Sequence, residues 1–221
     1  MSTPRHLALI PDGNRRWARR QGRPGPEGHV AGIHRVGPVV AAAWDSGVEA
    51  VTFWWGSPAN LLGRGAEEVG TIVDALRGWM ETELPGLLGE HQAAFRIAGR
   101  WADLCPSLAP AVATAEAAAG PGPRRLVILM GYDGREEILA AAAAAGGDRR
   151  RFEAALWTGG LPPVDLVVRT GGEPHLSAGF MLWWIAEAQL HFSCSLWPAF
   201  GPDELKGILK RYAATPRRMG R

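Results

Sequence analysis

Cysteine is scarce in this 221-residue chain, which has only Cys105 and Cys194. Two cysteines so far apart form neither a disulfide framework nor a zinc motif, so we expect both to be reduced and buried in a cytoplasmic protein. Lysine is equally scarce, since Lys206 and Lys210 are the only lysines among 24 basic residues. No apolar run approaches the length of a membrane span, and no charged-then-apolar leader begins the chain. A net charge of only +2 predicts that nucleic acid is not a partner.

Short apolar runs alternate with stretches of helical character along the whole chain. The apolar runs cover residues 7–10, 48–55, 95–98, 126–130 and 164–168. The helical stretches cover residues 29–46, 67–90, 107–118, 136–145 and 203–213. Apolar strands that alternate with helices are typical of a parallel sheet covered on both faces. The sequence therefore predicts a single α/β domain over residues 1–221.

The first apolar run ends in a polar turn, Pro11-Asp12-Gly13-Asn14, and the basic stretch RRWARR follows at once. We interpret this segment as a buried strand, a tight turn and the start of a helix. Unpaired amides and the positive end of the helix dipole predict an anion site at the turn. A carboxylate at Asp12 fits such a site when Mg²⁺ bridges it to a phosphate. The alternative is an Asp/Asn turn before a solvated basic helix.

Three more polar segments follow predicted strands, at residues 56–60, 131–135 and 169–177. In a parallel sheet, ligands gather where the strands end at their carboxyl edge. The last segment has an arginine at the strand end, two glycines, and then Glu, His and Ser within nine residues. This composition predicts a cradle for a second phosphate group. The alternative is a glycine-rich turn with a surface arginine.

Taken in order, these motifs resemble the cis-prenyltransferase family, which includes undecaprenyl diphosphate synthase. The resemblance extends from the first ten residues to the last five. The motifs that carry it are His6 with Pro11-Asp12-Gly13-Asn14-Arg15-Arg16-Trp17, Gly28-His29-Val30-Ala31-Gly32, Asp165-Leu-Val-Val-Arg169-Thr-Gly-Gly-Glu173, Leu196-Trp197-Pro198 and Arg217-Arg218-Met219-Gly220.

The resemblance implies a largely parallel six-stranded sheet flanked by helices, with an apolar substrate tunnel. It implies that Mg²⁺ is the cofactor and that an allylic prenyl diphosphate is joined to isopentenyl diphosphate through a Z double bond. The partners it implies are these two substrates and, in a homodimer, a second copy of the chain. A brief contact with a membrane through the lipid substrate is also expected.

The resemblance assigns individual roles to the matching residues. Asp12 is expected to be the Mg²⁺-linked catalytic carboxylate, and Asn60 is expected near the reacting centre. Losing one donor that stabilises the departing pyrophosphate typically costs about 3–4 kcal/mol of barrier. The residues expected to bind the two diphosphates are Gly13, Asn14, Arg15, Arg16, Trp17, Arg23, His29, Ser57, Arg64, Arg169, His175, Ser177 and, from a partner's tail, Arg218 and Gly220.

The chain departs from the family pattern at several of these positions. Gly25 stands where an arginine is usual, with Arg23 two residues earlier, and Arg64 comes one place late. His175 stands at a basic position, and Ala199 replaces an aspartate. Most serious, Gln189 replaces a metal-linked glutamate, and a neutral amide binds Mg²⁺ poorly because hard cations favour charged oxygens.

Three interpretations of the activity follow. We favour a prenyltransferase with altered handling of the second substrate. Because Trp54 and Trp55 would shorten a close-packed tunnel, we expect products of about two to four isoprene units, unless these tryptophans simply fill the core. The second interpretation is an irregular coupling enzyme of the lavandulyl type, or a cyclase that ionises one allylic diphosphate. The third is a poorly catalytic subunit or scaffold, against which the retained segment 12–14 argues.

Overall fold

Six parallel strands form one sheet in the computed structural model, which describes residues 3–215. Their order across the sheet is β3-β4-β2-β1-β5-β6, and every neighbouring pair is parallel. The strands are β1 (His6–Ile10), β2 (Ala50–Gly56), β3 (Ala94–Ala98), β4 (Arg125–Met130), β5 (Leu166–Arg169) and β6 (Gln189–Phe192). This confirms the predicted α/β fold with a six-stranded parallel sheet.

Helices connect the strands and cover both faces of the sheet. They are α1 (Asn14–Arg20), α2 (Gly25–Asp45), α3 (Pro58–Gly63), α4 (Ala66–Thr82), α5 (Leu84–His91), α6 (Trp101–Leu104), α7 (Ala109–Ala118), α8 (Gly134–Ala145), α9 (Arg149–Ala155) and α10 (Pro202–Ala214). The helix predicted over residues 67–90 is therefore two helices. It divides at Glu83 because Pro85, in the first turn of α5, has no N–H to continue α4. No helix among the described residues is long and apolar enough to cross a bilayer.

Two hydrophobic clusters pack the helices onto the sheet. Side chains of α2, α4, α5, α7 and α10 form the larger cluster on one face, and α8 and the segment 156–184 supply the other. An apolar tunnel, which the resemblance implies, is not among the features that residues 3–215 show. Buried Phe53, Leu76 and Trp79 belong to the larger cluster and take up space on the face where α2 and α4 pack.

The strand register brings the predicted site segments to one edge of the sheet. In β1, Ile10 pairs with Arg169 of β5, and Leu9 pairs with Phe53 in the middle of β2. The polar segments after β1 and β5 therefore start side by side, and β2 ends at the same edge of the sheet. One expectation about cysteine is wrong, because Cys105 is buried but Cys194, just after β6, is exposed.

Candidate active site

A cleft of about 400 Å³ opens at the carboxyl edge of the sheet, next to the end of β1. Five arginines and one aspartate are among its lining residues, so its charge suits an anionic ligand. The lining residues are Ile10, Pro11, Asp12, Gly13, Asn14, Arg15, Arg16, Arg19, His29, Gly32, Trp54, Trp55, Arg64, Arg169 and Trp197.

A larger groove of about 1,060 Å³ lies elsewhere, lined in part by Arg5, Glu49, Arg149 and Glu153. These charges already pair with each other, since Arg5–Glu49 and Arg149–Glu153 are both separated by 2.9 Å. In the smaller cleft, by contrast, polar atoms of Asn14, His29, Trp54 and Arg169 are buried without hydrogen-bond partners. Buried polar atoms without partners are rare and call for an explanation. Because four of them lie at one arginine-rich cleft, the smaller cleft is the candidate active site.

Asp12 is held between two arginines at this cleft. Its Oδ2 accepts a hydrogen bond from Arg169 Nη2 at 2.7 Å, and its Oδ1 lies 3.3 Å from Arg16 Nη2. The Asp12 backbone is fixed as well, because its N–H donates to Thr170 Oγ1 and its carbonyl accepts from the same hydroxyl and from the Trp197 N–H. The fold therefore brings a carboxylate and arginines together at this turn, as the sequence predicts.

Glycines allow the turn after Asp12 to form and α2 to pack beside it. Gly13 has a φ of +106°, and a Cβ there would lie 2.8 Å from Leu196 Cδ2. A Cβ at Gly28 would lie 2.1 Å from the Asn14 carbonyl oxygen, and one at Gly32 would lie 2.3 Å from Asn14 Oδ1. Because Gly28 and Gly32 have no side chains, α1 and Asn14 can pack closely against α2.

Arg15, His29 and Arg64 form one wall of the cleft. Burial, and then the charges of Arg64 and Arg15, lowers the pKa of His29 to about 4, so its imidazole is neutral at pH 7. Burial also lowers the pKa of the Arg64 guanidinium, although the nearby Glu68 carboxylate opposes that shift. A neutral histidine between two arginines suits a wall that receives a diphosphate.

Glu68 is a residue of this region that the sequence motifs did not reveal. It lies 3.8 Å from both Arg15 and His29, in the first turn of α4. The sequence offers no spacing signal for it, because Arg64 follows α3 and is not on the helix that carries Glu68.

Trp17 and Arg23, by contrast, do not line the cleft. The guanidinium of Arg23 lies over the Trp17 ring instead, 6.0 Å from the ring centroid.

Ser57 and Asn60 form a capping box at the start of α3. The Ser57 Oγ accepts from the Asn60 N–H at 3.2 Å, and the Ser57 N–H donates to Asn60 Oδ1 at 3.3 Å. Neither residue is among those lining the cleft. The substrate role predicted for each stays a prediction, and the fold gives both a helix-capping role.

Arg169 organises the segment that follows β5. Its Nη1 donates to the His175 carbonyl at 2.8 Å and to Ser177 Oγ at 2.9 Å, while its Nε is buried without a partner. The His175 side chain is exposed and lies 3.9 Å from Glu173. The sequence correctly grouped Arg169 with Ser177, whereas His175 contributes its backbone to this group.

Gln189 is not brought to Asp12 within one chain. It begins β6 and pairs with Leu166, whereas Phe192 pairs with Arg169 at the catalytic edge. Three residues of strand separate the two levels by about 10 Å. Arg218 and Gly220 lie outside the described residues. Their roles, and a metal role for Gln189, stay predictions.

The donor set fits a magnesium ion held jointly by protein and substrate. Among residues 3–215, no group of three or more His, Cys, Asp or Glu side chains is arranged to hold a metal. Mg²⁺ usually binds through one or two carboxylates together with substrate phosphates. Asp12, which is about a third exposed at the cleft, supplies such a carboxylate.

The fold and cleft together define a parallel α/β enzyme whose site suits a phosphate-bearing substrate. The chain belongs to the undecaprenyl diphosphate synthase family of prenyltransferases, whose family model matches residues 10–220. The ditrans,polycis-undecaprenyl-diphosphate synthase of Pseudomonas putida is 37% identical, and the alignment covers all of this chain and 92% of the relative. An isoprenyl transferase of Thermus thermophilus is 35% identical, over 99% of this chain and 89% of the relative.

A solved structure shares the whole fold. Lavandulyl diphosphate synthase from Lavandula x intermedia, crystallised with dimethylallyl diphosphate, superimposes with a TM-score of 0.92 at 29% identity. The match covers 99% of each chain. The family resemblance found in the sequence is thereby confirmed. The protein is a prenyltransferase of isoprenoid biosynthesis, and its family and relatives support a Z-prenyl diphosphate product.

Proposed function

We propose that the protein joins an allylic prenyl diphosphate to isopentenyl diphosphate in a Mg²⁺-dependent reaction that yields a short-chain Z-prenyl diphosphate. Dimethylallyl, geranyl and farnesyl diphosphate are the candidate allylic substrates. The observation that carries this proposal is the position of Asp12 between Arg16 and Arg169, in a cleft of about 400 Å³.

Each group of cleft residues has a task in this reaction. When the C1–O bond of the allylic diphosphate breaks, pyrophosphate leaves with the electron pair and its charge must be neutralised. Bound Mg²⁺ supplies part of that neutralisation, and Asp12 is the carboxylate that would hold it. Arg15, Arg64 and His29 line the wall that receives the leaving group. Arg169 with Ser177 binds the diphosphate of the second substrate.

The proposed short product rests on the size and lining of the cleft. Pockets for small molecules usually measure about 300–1,000 Å³, and this cleft is near the lower end of that range. Trp54 and Trp55 both line it, and Trp55 also packs against the larger hydrophobic cluster. A long polyprenyl chain does not fit in a cleft of this volume. We therefore propose products of about two to four isoprene units.

Irregular coupling of the lavandulyl type is the second candidate function. The fold matches lavandulyl diphosphate synthase with a TM-score of 0.92. In addition, Gln189 and His175 depart from the family pattern on the side of the second substrate. An enzyme that condenses two allylic molecules does not require a complete site for isopentenyl diphosphate, so it can tolerate these changes.

We further propose that two copies of the chain act together in the cytoplasm. β6 is an edge strand of the described sheet, and its Leu190 is 49% exposed. Leu182, which precedes β6, and Leu139 of α8 are also exposed. An exposed leucine on an edge strand and further exposed leucines elsewhere favour association with a second copy. The tail residues Arg218 and Gly220 would then reach the partner's site, and contact with a membrane would be brief and made through the lipid substrate.

One set of incubations tests the proposal. The purified protein is incubated with each allylic diphosphate, with and without isopentenyl diphosphate and with and without Mg²⁺, and the products are separated by chromatography. We expect turnover only when isopentenyl diphosphate and Mg²⁺ are both present, with products of about two to four isoprene units.

Three results would contradict the proposal. Turnover of dimethylallyl diphosphate alone would show irregular coupling instead. Products longer than about eight isoprene units would exclude the short cleft as the determinant of length. If the protein turns over substrate only after a second, different protein is added, it is a supporting subunit.

A further inference from the structure

Two buried polar atoms at the cleft wall lie close together without a hydrogen bond. His29 Nε2 and Glu68 Oε1 are 3.8 Å apart, and neither has a hydrogen-bond partner among the described residues. The side chains are only 14% and 18% exposed. Because nearly all buried polar side-chain atoms are hydrogen-bonded, this pair calls for a functional explanation.

Glu68 lies where several elements of the site converge. Its Oε1 is also 3.8 Å from Nε of Arg15 on α1, and His29 comes from α2. Its charge acts on Arg64, at the end of α3, in the direction that keeps this half-buried guanidinium protonated. Glu68 itself lies in the first turn of α4 and is not among the residues that line the cleft. One carboxylate thus interacts with three side chains that line the cleft, without being among the lining residues itself.

We infer that Glu68 is a positioning residue for the allylic diphosphate, which holds Arg15, His29 and Arg64 in the arrangement that receives it. This inference rests on the proposed function. Without an anion beside them, the guanidinium groups of Arg15 and Arg64 repel each other. With Glu68 in place, they are preorganised, so the diphosphate binds without the free-energy cost of ordering them.

The neighbouring Glu67 separates this role from a general effect of acidic residues at a helix start. Both glutamates lie in the first turn of α4, where a negative charge stabilises the helix. Glu67, however, is exposed and forms no ion pair in the described structure. A substitution at Glu67 therefore removes the same charge from the same turn without touching the cleft wall.

The test compares Glu68→Gln and Glu68→Asp with the control Glu67→Gln. Steady-state kinetics give kcat and KM for each substrate, and calorimetry gives the affinity for inorganic pyrophosphate without turnover. We expect Glu68→Gln to raise the KM for the allylic diphosphate about tenfold. Its kcat and its KM for isopentenyl diphosphate should change less than about threefold. Glu68→Asp should recover part of the loss, and Glu67→Gln should match the wild type.

Opposite outcomes overturn the inference. If Glu68→Gln binds the allylic diphosphate more tightly, Glu68 is merely a repelling charge near an anion site. If both substrates lose affinity equally, or if Glu67→Gln shows the same loss, the effect is one of helix stability. Melting temperatures of all variants exclude unfolding as the cause. Should the wild type turn over no prenyl substrate, the proposed function fails, yet the pyrophosphate affinities still decide the role of Glu68.

Discussion

Arg169 donates a hydrogen bond to Asp12 across 2.7 Å, so the proposed binder of the second diphosphate holds the proposed catalytic carboxylate. Arg169 is the last residue of β5, and Asp12 follows the end of the neighbouring parallel strand, β1. A Mg²⁺ ion held by Asp12 and a substrate phosphate would compete with the hydrogen bond from Arg169 to Asp12. The two halves of the site are therefore coupled through one ion pair.

Replacement of Arg169 by lysine tests this coupling. A lysine keeps the charge but lacks the planar fork that reaches Asp12, Ser177 and the His175 carbonyl together. Hydrogen bonds to charged groups contribute about 1.5–3 kcal/mol, so we expect kcat/KM for isopentenyl diphosphate to fall at least about tenfold. Arg149→Lys, on the exposed α9, is the matched control and should be silent. An unchanged kcat/KM in Arg169→Lys would show that the fork has no part in catalysis.

Buried His29 predicts a loss of stability in mild acid. Burial holds its pKa near 4, below the unfolded value of 6.5, so between these values the unfolded chain binds more protons. The stability contributed by neutral His29 is present above pH 6.5 and is lost as the pH falls toward 4. From pH 7 to pH 5 this amounts to about 2 kcal/mol. Urea unfolding at both pH values measures it.

The matching variants are His29→Gln and, as a control, His175→Gln. We expect the drop between pH 7 and pH 5 to shrink by about 2 kcal/mol in His29→Gln, because the buried imidazole is gone. His175 is exposed and should leave the drop unchanged. Buried His6, whose pKa is also lowered to about 4 by burial, contributes to the drop in every variant. Equal drops in the wild type and in His29→Gln would contradict this account.

Trp55 is expected to limit product length. It lines the cleft and packs against the larger cluster, so Trp55→Ala opens space toward that cluster. We expect the longest product to gain at least about one isoprene unit. Trp157→Phe, which changes a ring on the other face of the sheet, is the control. A product distribution identical to that of the wild type would assign Trp55 to core packing alone.

Glu204 is expected to stabilise the loop behind the second diphosphate. Its carboxylate accepts hydrogen bonds from the hydroxyls of Ser193 and Ser195. The carbonyls of these serines accept in turn from the Gly172 and Gly171 N–H groups, beside Arg169. Loss of two such bonds predicts that Glu204→Ala lowers the free energy of unfolding by about 2–4 kcal/mol.

The control for Glu204→Ala is Asp203→Ala, because Asp203 is exposed and lies in the same helical turn. Denaturant unfolding should show less than about 0.5 kcal/mol of change in Asp203→Ala. Similar losses in the two variants would mean that the helix start, rather than the serine loop, accounts for the effect.

Local sequence patterns were sufficient to predict most of the fold. Fully buried strands such as β1 have an unbroken apolar run, and the residue types around Gly13 indicate the turn there. The sequence pattern does not indicate β6, because the edge strand Gln189–Phe192 is short and has no buried residue. The break at Glu83 was missed because the apolar spacing continues across it.

The site could be predicted only where its residues are contiguous or belong to a motif. Asp12, Arg16 and Arg169 met as expected, since parallel strands end at one edge. Glu68 could not be predicted, because its role depends on how α1, α2 and α4 pack. Ser57 could not be assigned to helix capping from the motif alone, because a substrate and a helix N-terminus both attract its hydroxyl. A metal role for Gln189 stays a prediction, because β6 places this residue about 10 Å from the level of Arg169.

The most direct measurement of the central claim is the turnover of Asp12→Asn at saturating Mg²⁺ and substrates. Asparagine keeps the size of the side chain and an oxygen that can accept from Arg169, but it removes the charge that holds a cation. We predict that kcat falls at least about a hundredfold while the melting temperature stays close to that of the wild type. A folded Asp12→Asn variant with a kcat near the wild-type value would contradict the account.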